Sequence, residues 1–83
     1  MSVTLYSSST CGYCSLAKRV LAGHGVVPDE INIDFDAAKR AEMMLRSGRR
    51  TVPQIFFGDR HIGGFDELAA LERAGKLEEL LAV

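Results

Sequence analysis

Two short β-rich runs flanking one helical stripe restrict the fold of this chain more than any other feature. Residues 3–7 (Val3, Thr4, Leu5, Tyr6, Ser7) form the first run, and Glu30, Ile31, Asn32 and Ile33 the second. Between them Cys14, Ala17 and Leu21 recur at helical spacing, with Leu16 and Val20 beside them. Gly23 and Gly25 end that helix, and Pro28 confirms the break. A strand, a helix and a strand in this order imply a right-handed crossover and a parallel strand pair. Asp34 or Asp36 then caps a second helix, whose apolar stripe reads Ala37, Ala41, Met44 and Leu45 and which closes at Gly48. Ile55, Phe56 and Phe57 give a third strand, and Gly58-Asp59 turns the chain into Arg60, His61 and Ile62 as a hairpin partner. After Gly63-Gly64 comes a helix with Leu68 and Leu71 inward, ending near Gly75, and then a short terminal helix through Leu77, Leu80 and Leu81. The expected architecture is an α/β fold with a small mixed sheet, in one domain covering residues 1–83.

The only two cysteines, Cys11 and Cys14, fall where the first helix begins, at the C-terminal end of the first strand. Active sites of open α/β sheets collect there. Closing so short a loop removes little unfolded-chain entropy, so the pair is a poor staple and is better suited to redox chemistry or metal. At this spacing both sulfurs face one side of a helix, within disulfide reach. Cys11, at the helix N-terminus, meets unpaired N–H groups that favour the thiolate, whereas Cys14, one turn on, is shielded. That asymmetry suits attack by one sulfur and resolution by the other. A single-chain zinc site needs four ligands, and the chain adds only His24, His61 and carboxylates at no ligand spacing. The two histidines read as structural or solvated, and Met43 and Met44 as core-facing and rim residues of the second helix.

The formal net charge of −1 does not suit a general nucleic-acid binder. Charge is uneven along the chain, with Lys39, Arg40, Arg46, Arg49, Arg50 and Arg60 facing only Asp36, Glu42 and Asp59 between residues 36 and 60. From Phe65 onward Asp66, Glu67, Glu72, Glu78 and Glu79 outnumber Arg73 and Lys76. A basic middle beside an acidic tail fits a small anionic ligand or two solvated helix faces, and both readings stay open. The first residues have neither a basic region nor a long apolar one, so neither a signal peptide nor a membrane span is expected. The expected setting is the reducing cytoplasm, where a Cys-x-x-Cys pair is catalytic or metal-binding.

Two further motifs complete the site. In Thr51-Val52-Pro53-Gln54-Ile55 a proline opens a strand. It is either a plain strand-start residue or a cis proline that turns the Val52 backbone outward to pair with an extended, peptide-like ligand. In Gly63-Gly64-Phe65-Asp66 two glycines lead into a helix start, which reads either as an ordinary turn or as a carboxylate site on the Phe65 and Asp66 N–H groups.

CGYC, TVPQIF and GGFD, in this order and at these separations, resemble the active-site, cis-proline and glycine motifs of the glutaredoxin family. The likeness runs through the whole chain, including Lys39, Arg40, Glu42, Met43, Arg46, Ser47, Gly48 and Arg49, and is strongest to the short bacterial type-three class with a dithiol site. The resemblance implies a thioredoxin-like fold, a four-stranded mixed sheet in order 2-1-3-4 with helices on both faces. It implies glutathione as co-substrate in a groove lined by Tyr13, Thr51, Val52, Pro53, Gly64, Phe65 and Asp66, with Arg40 near the glycine carboxylate. The implied activity is reduction of protein–glutathione mixed disulfides and protein disulfides, with Cys11 as nucleophile and Cys14 as resolving thiol. Glutathionylated or disulfide-containing proteins are the implied partners of a monomer, with no nucleic acid and no membrane.

The chain departs from the family pattern at three places. Ser8 replaces a frequent lysine, for which Arg40 or Lys18 is the expected substitute. Phe65 replaces a frequent cysteine. Gly12 replaces the usual proline, and in the family such residues accompany a [2Fe–2S] cluster bridging two chains through Cys11 and two glutathiones. A cluster-carrying dimer is therefore the alternative reading, and a thioredoxin-like donor fed by a flavoprotein reductase the third.

Overall fold

The computed structural model describes residues 2–82. The elements run β1 (Val3–Ser7), α1 (Gly12–Gly23), β2 (Asp29–Asn32), α2 (Ala37–Ser47), β3 (Gln54–Phe57), β4 (Arg60–Gly63), α3 (Phe65–Arg73) and α4 (Leu77–Leu81). The sheet order is β2-β1-β3-β4. β1 pairs parallel with β2 and antiparallel with β3, which pairs antiparallel with β4. This is the mixed four-stranded sheet of the thioredoxin-like fold.

Side-chain alternation along the central strands divides the interior in two. Val3 and Leu5 of β1 and Ile55 and Phe57 of β3 face α1, α3 and α4, where they pack with Ala17, Leu21, Leu68 and Leu77. Tyr6 of β1 and Phe56 of β3 point to the other face and pack with Ile33 and with Met43 of α2. Helices thus cover both faces.

Two expectations are corrected. The second strand begins at Asp29 and ends at Asn32, with Ile33 just past it, although Ile33 is buried and its N–H donates to the Ser7 carbonyl at 2.9 Å. The inward stripe of α2 is also rotated from the one the sequence suggests. Ala37 and Ala41 are exposed, Leu45 is 88% exposed, and Met43 is the residue wholly buried. Met44 lies partly buried at the rim. The helix turns this way because Glu42 and Arg46 flank Met43 and both reach the buried hydroxyl of Tyr6. Asp36 is the N-cap, accepting from the Lys39 N–H at 3.0 Å, and Gly48 closes the helix in the left-handed region at φ 70°.

Candidate active site

β1 ends in Ser7, and the loop through Ser8, Ser9 and Thr10 delivers the chain to α1 with Cys11 as its N-cap. The Cys11 N–H donates to the Ser8 carbonyl at 3.3 Å, and Cys11 Sγ accepts from the Cys14 N–H at 3.1 Å. The sulfur thus does the work that a Ser or Asp oxygen does at most helix starts. Cys11 and Cys14 form a disulfide across Cα atoms 5.3 Å apart. Cys14 is 2% exposed, whereas Cys11 is only partly covered. An incoming thiolate therefore reaches Cys11. When the bond opens, the N–H groups of the helix start and the helix dipole favour negative charge on the Cys11 sulfur.

The Val52–Pro53 peptide is cis, and Pro53 is buried. The Val52 carbonyl oxygen lies 3.7 Å from Cys11 Sγ. A disulfide sulfur has no hydrogen to donate, so this is a contact that brings the segment before β3 against the reactive sulfur.

Opposite that segment stands the start of α3. A Cβ on Gly64 would come within 3.3 Å of the Pro53 carbonyl, and one on Gly63, at φ 125°, would collide with the Glu67 side chain. Gly64 thus lets the two walls approach, and Gly63 leaves the Glu67 side chain room to fold back on the helix start. Between them runs a groove of about 240 Å³, lined by Tyr13, Thr51, Val52, Pro53, Gly64, Phe65 and Asp66 together with Arg49 and Glu67. Tyr13 and Phe65 lean together across one lip, with ring centroids 5.6 Å apart.

Seven of the residues picked out in the sequence thus line one groove beside Cys11. Arg40 does not line it and is exposed on α2. The cation in the wall is Arg49, which follows the αL turn at Gly48. Its guanidinium donates to Glu67 Oε1 at 2.7 Å, and the same oxygen accepts the Gly64 N–H at 2.7 Å. Arg49 first, and the Gly64 N–H second, hold the Glu67 carboxyl below the usual carboxylate range. Glu67 is legible as the third residue of a helix whose cap residue, Gly64, has no side chain, so its carboxylate supplies the reciprocal half of a capping box. Arg49 carries no such local signal.

Lys18 is committed elsewhere. Its ammonium sits 3.1 Å from Glu30, which also accepts from Ser7 Oγ at 2.7 Å. The Ser7 hydroxyl first, and then Lys18, hold the Glu30 carboxyl down against the opposing effect of burial.

An accessible sulfur at a helix N-terminus, a shielded partner one turn away and a backbone segment held against the pair define a thiol–disulfide oxidoreductase on a thioredoxin-like fold. Residues 3–62 match the sequence profile of the family described as Glutaredoxin. Glutaredoxin 3 of Escherichia coli (strain K12) is 53% identical over 79 residues, which are 95% of this chain and 95% of that protein. A glutaredoxin of Pseudomonas aeruginosa is 48% identical over 96% of this chain and 95% of its own. The solution structure of Brucella melitensis glutaredoxin superposes with a TM-score of 0.85 at 48% identity, covering 98% of this chain and 88% of that one. The crystal structure of a buckwheat glutaredoxin–glutathione complex gives a TM-score of 0.87 at 35% identity, covering 96% of this chain and 76% of that one. The chain belongs to the glutaredoxin family.

Proposed function

We propose that the protein uses glutathione to reduce protein–glutathione mixed disulfides and protein disulfides. The observation that carries this reading is the groove beside Cys11, with cis-proline backbone on one wall and a glycine-led helix start on the other. An extended tripeptide with carboxylates at both ends matches those walls. Its cysteinyl part pairs with the Val52 backbone, its γ-glutamyl end meets the Phe65 N–H and Asp66, and Tyr13 covers it. Arg49, which lines the groove while paired with Glu67, takes the place of Arg40 as the cation near the glycine carboxylate in this reading. The buckwheat relative in complex with glutathione supports the choice of ligand.

In the reduced enzyme Cys11 thiolate attacks the glutathione sulfur of a mixed disulfide. The substrate S–S bond breaks, the substrate thiolate leaves and takes a proton from solvent, and Cys11 carries glutathione. A second glutathione thiolate attacks that glutathione sulfur, releasing Cys11 thiolate and glutathione disulfide. On a protein disulfide, Cys14 thiolate displaces the substrate from Cys11, and two glutathiones reduce the resulting Cys11–Cys14 bridge.

Turnover of a glutathionylated peptide by Cys14→Ser and Cys11→Ser tests this. Cys14→Ser should retain activity and Cys11→Ser lose it entirely. Loss in both variants, or an inactive wild type, overturns the glutathione mechanism.

The alternative, a [2Fe–2S] cluster shared by two chains, rests on Gly12, which opens α1 exposed beside Cys11 where the family pattern has a proline. Among the described residues no group of three or more His, Cys, Asp or Glu side chains could hold a metal ion within one chain, and the family resemblance gives the ligands as one Cys11 from each chain and two glutathiones. Anaerobic incubation with iron, sulfide and glutathione separates the readings. A coloured dimer supports the cluster, and a colourless monomer removes it.

A further inference from the structure

Gln54 is wholly buried at the first position of β3, immediately after the cis proline. A buried amide must find partners for both of its ends. Its Nε2 lies 3.0 Å from the Thr51 carbonyl oxygen and 3.3 Å from Thr51 Oγ1. A carbonyl oxygen can only accept, so the nitrogen end must face Thr51 and Oε1 must face the other way. Oε1 is 2.7 Å from Nε2 of His61 on β4. Being an acceptor, it requires a proton on that imidazole nitrogen. Burial first, and then the charge of Arg49, hold His61 below the ordinary histidine value, so the ring is neutral near pH 7 with its one proton on Nε2. The ring itself is laid against Phe56, with centroids 4.9 Å apart, and Phe56 in turn carries the Arg46 guanidinium 4.0 Å from its centroid. His61 lines neither the groove nor the disulfide.

We propose that His61, acting through Gln54, is a positioning residue for the Thr51-Val52-Pro53 segment and therefore for the substrate backbone that docks on it. This rests on the reading that the groove takes the glutathionyl half of the substrate. The line of force is short. His61 fixes which way the Gln54 amide faces, the amide holds the Thr51 carbonyl, and the next carbonyl, that of Val52, touches Cys11 Sγ at 3.7 Å. Without the His61 donor, Gln54 Oε1 is buried with no partner, the amide turns, and Thr51 is released. The helix cap of the Cys11 sulfur, its bond from the Cys14 N–H, lies wholly at the start of α1 and stays in place. Substrate recognition and thiol reactivity therefore separate.

Three variants of the full chain test this. His61→Phe keeps a ring against Phe56 and removes the donor. His61→Gln keeps a donor without the ring. Gln54→Met replaces the amide by an apolar side chain of similar length. Each is assayed on one peptide carrying either a glutathionyl or a 2-hydroxyethyl mixed disulfide, the 2-hydroxyethyl group having no backbone to dock in the groove. His61→Phe and Gln54→Met should raise KM for the glutathionyl peptide about five- to tenfold, the loss of one buried hydrogen bond. The rate with the 2-hydroxyethyl peptide should stay within twofold of wild type, and His61→Gln should restore most of the KM. An unchanged KM, an equal loss on both substrates, or no rescue by His61→Gln overturns the proposal. If wild type itself does not prefer the glutathionyl peptide, the glutathione reading fails. The positioning claim is then decided by the Gln54 side-chain amide protons. Faster exchange with solvent in His61→Phe than in wild type upholds it, and equal exchange refutes it.

Discussion

The two faces of the sheet are built by different physics. Under α1, α3 and α4 the interior is aliphatic and aromatic carbon, with Leu5, Leu21, Ile55 and Leu68 all at 0% exposure. Under α2 the buried set is small, and its centre is a phenol. The Tyr6 hydroxyl donates to Glu42 and accepts from Arg46 Nη1 at 2.9 Å, while the Arg46 guanidinium lies over Phe56. Burial first, and then Glu42 as acceptor, hold the Tyr6 hydroxyl above the ordinary phenol range, so it stays protonated. Apolar packing is non-directional and fixes how close a helix lies. Hydrogen bonds have direction and fix how a helix is rotated about its own axis. The helix that carries the sulfurs is held in the first way, and the helix that precedes the segment facing Cys11 in the second.

The sharpest way to break this contrast is to remove carbon from the apolar face. Leu21→Ala should destabilise the fold by about 3 kcal/mol, within the usual range for a buried leucine, and chemical denaturation should show it as a lower midpoint. A domain this small has little reserve to absorb such a loss. Tyr6→Phe keeps the ring and removes the hydroxyl, and should cost about 1 kcal/mol with the tertiary near-ultraviolet signal altered on the α2 side. Equal costs for the two changes would erase the distinction between the faces.

A smaller effect is expected at the edge of the apolar face, where His24 caps α1 and its Nδ1 sits 2.9 Å from Glu78 while Nε2 meets Glu72. Both partners only accept, so both ring nitrogens must carry protons. Glu72 first and Glu78 second raise the His24 pKa from its ordinary 6.5. A raised folded-state value gives stability that is fully present below the unfolded value and is lost as pH climbs through the folded one. The Tm difference between wild type and His24→Ala should therefore be larger at pH 6 than at pH 9, and a pH-independent difference would show that the imidazolium is not involved. The smallest effect is expected at Leu45, 88% exposed on the outer side of α2. Leu45→Glu should leave stability within about 0.5 kcal/mol of wild type, and a large loss would return the helix to the rotation its apolar stripe suggests.

The same contrast explains what could be read from the residues. α1 and the central strands were legible because their inward positions are apolar and periodic, so Cys14, Ala17 and Leu21 fall where the spacing puts them. The three motifs of the site were legible because each rests on a residue type with few conformational uses, a cysteine pair, a proline and a double glycine. α2 was misread because its buried face is half polar. Glu42 and Arg46 look like solvent-facing charges until the Tyr6 hydroxyl, 36 and 40 residues away, is brought beside them. Arg49 was missed for a related reason. Its role depends on Glu67, 18 residues on, and no local pattern announces that pair.

The central position of β1 bears on how the chain is made. β1 and the cysteine pair lie in the same short stretch, but the Val52 segment that faces Cys11 comes 41 residues later. As the polypeptide lengthens from its N-terminal end, β1, α1 and β2 can close on one another first, leaving the second edge of β1 open until β3 emerges. During that interval the thiols are present without the segment that comes to face Cys11, and an unpaired strand edge lies beside them. Such an edge is a template for other chains. In that order of folding the cysteine pair is in place before the segment that faces it, and pairing of β3 with β1 closes the open edge and covers Cys11 together.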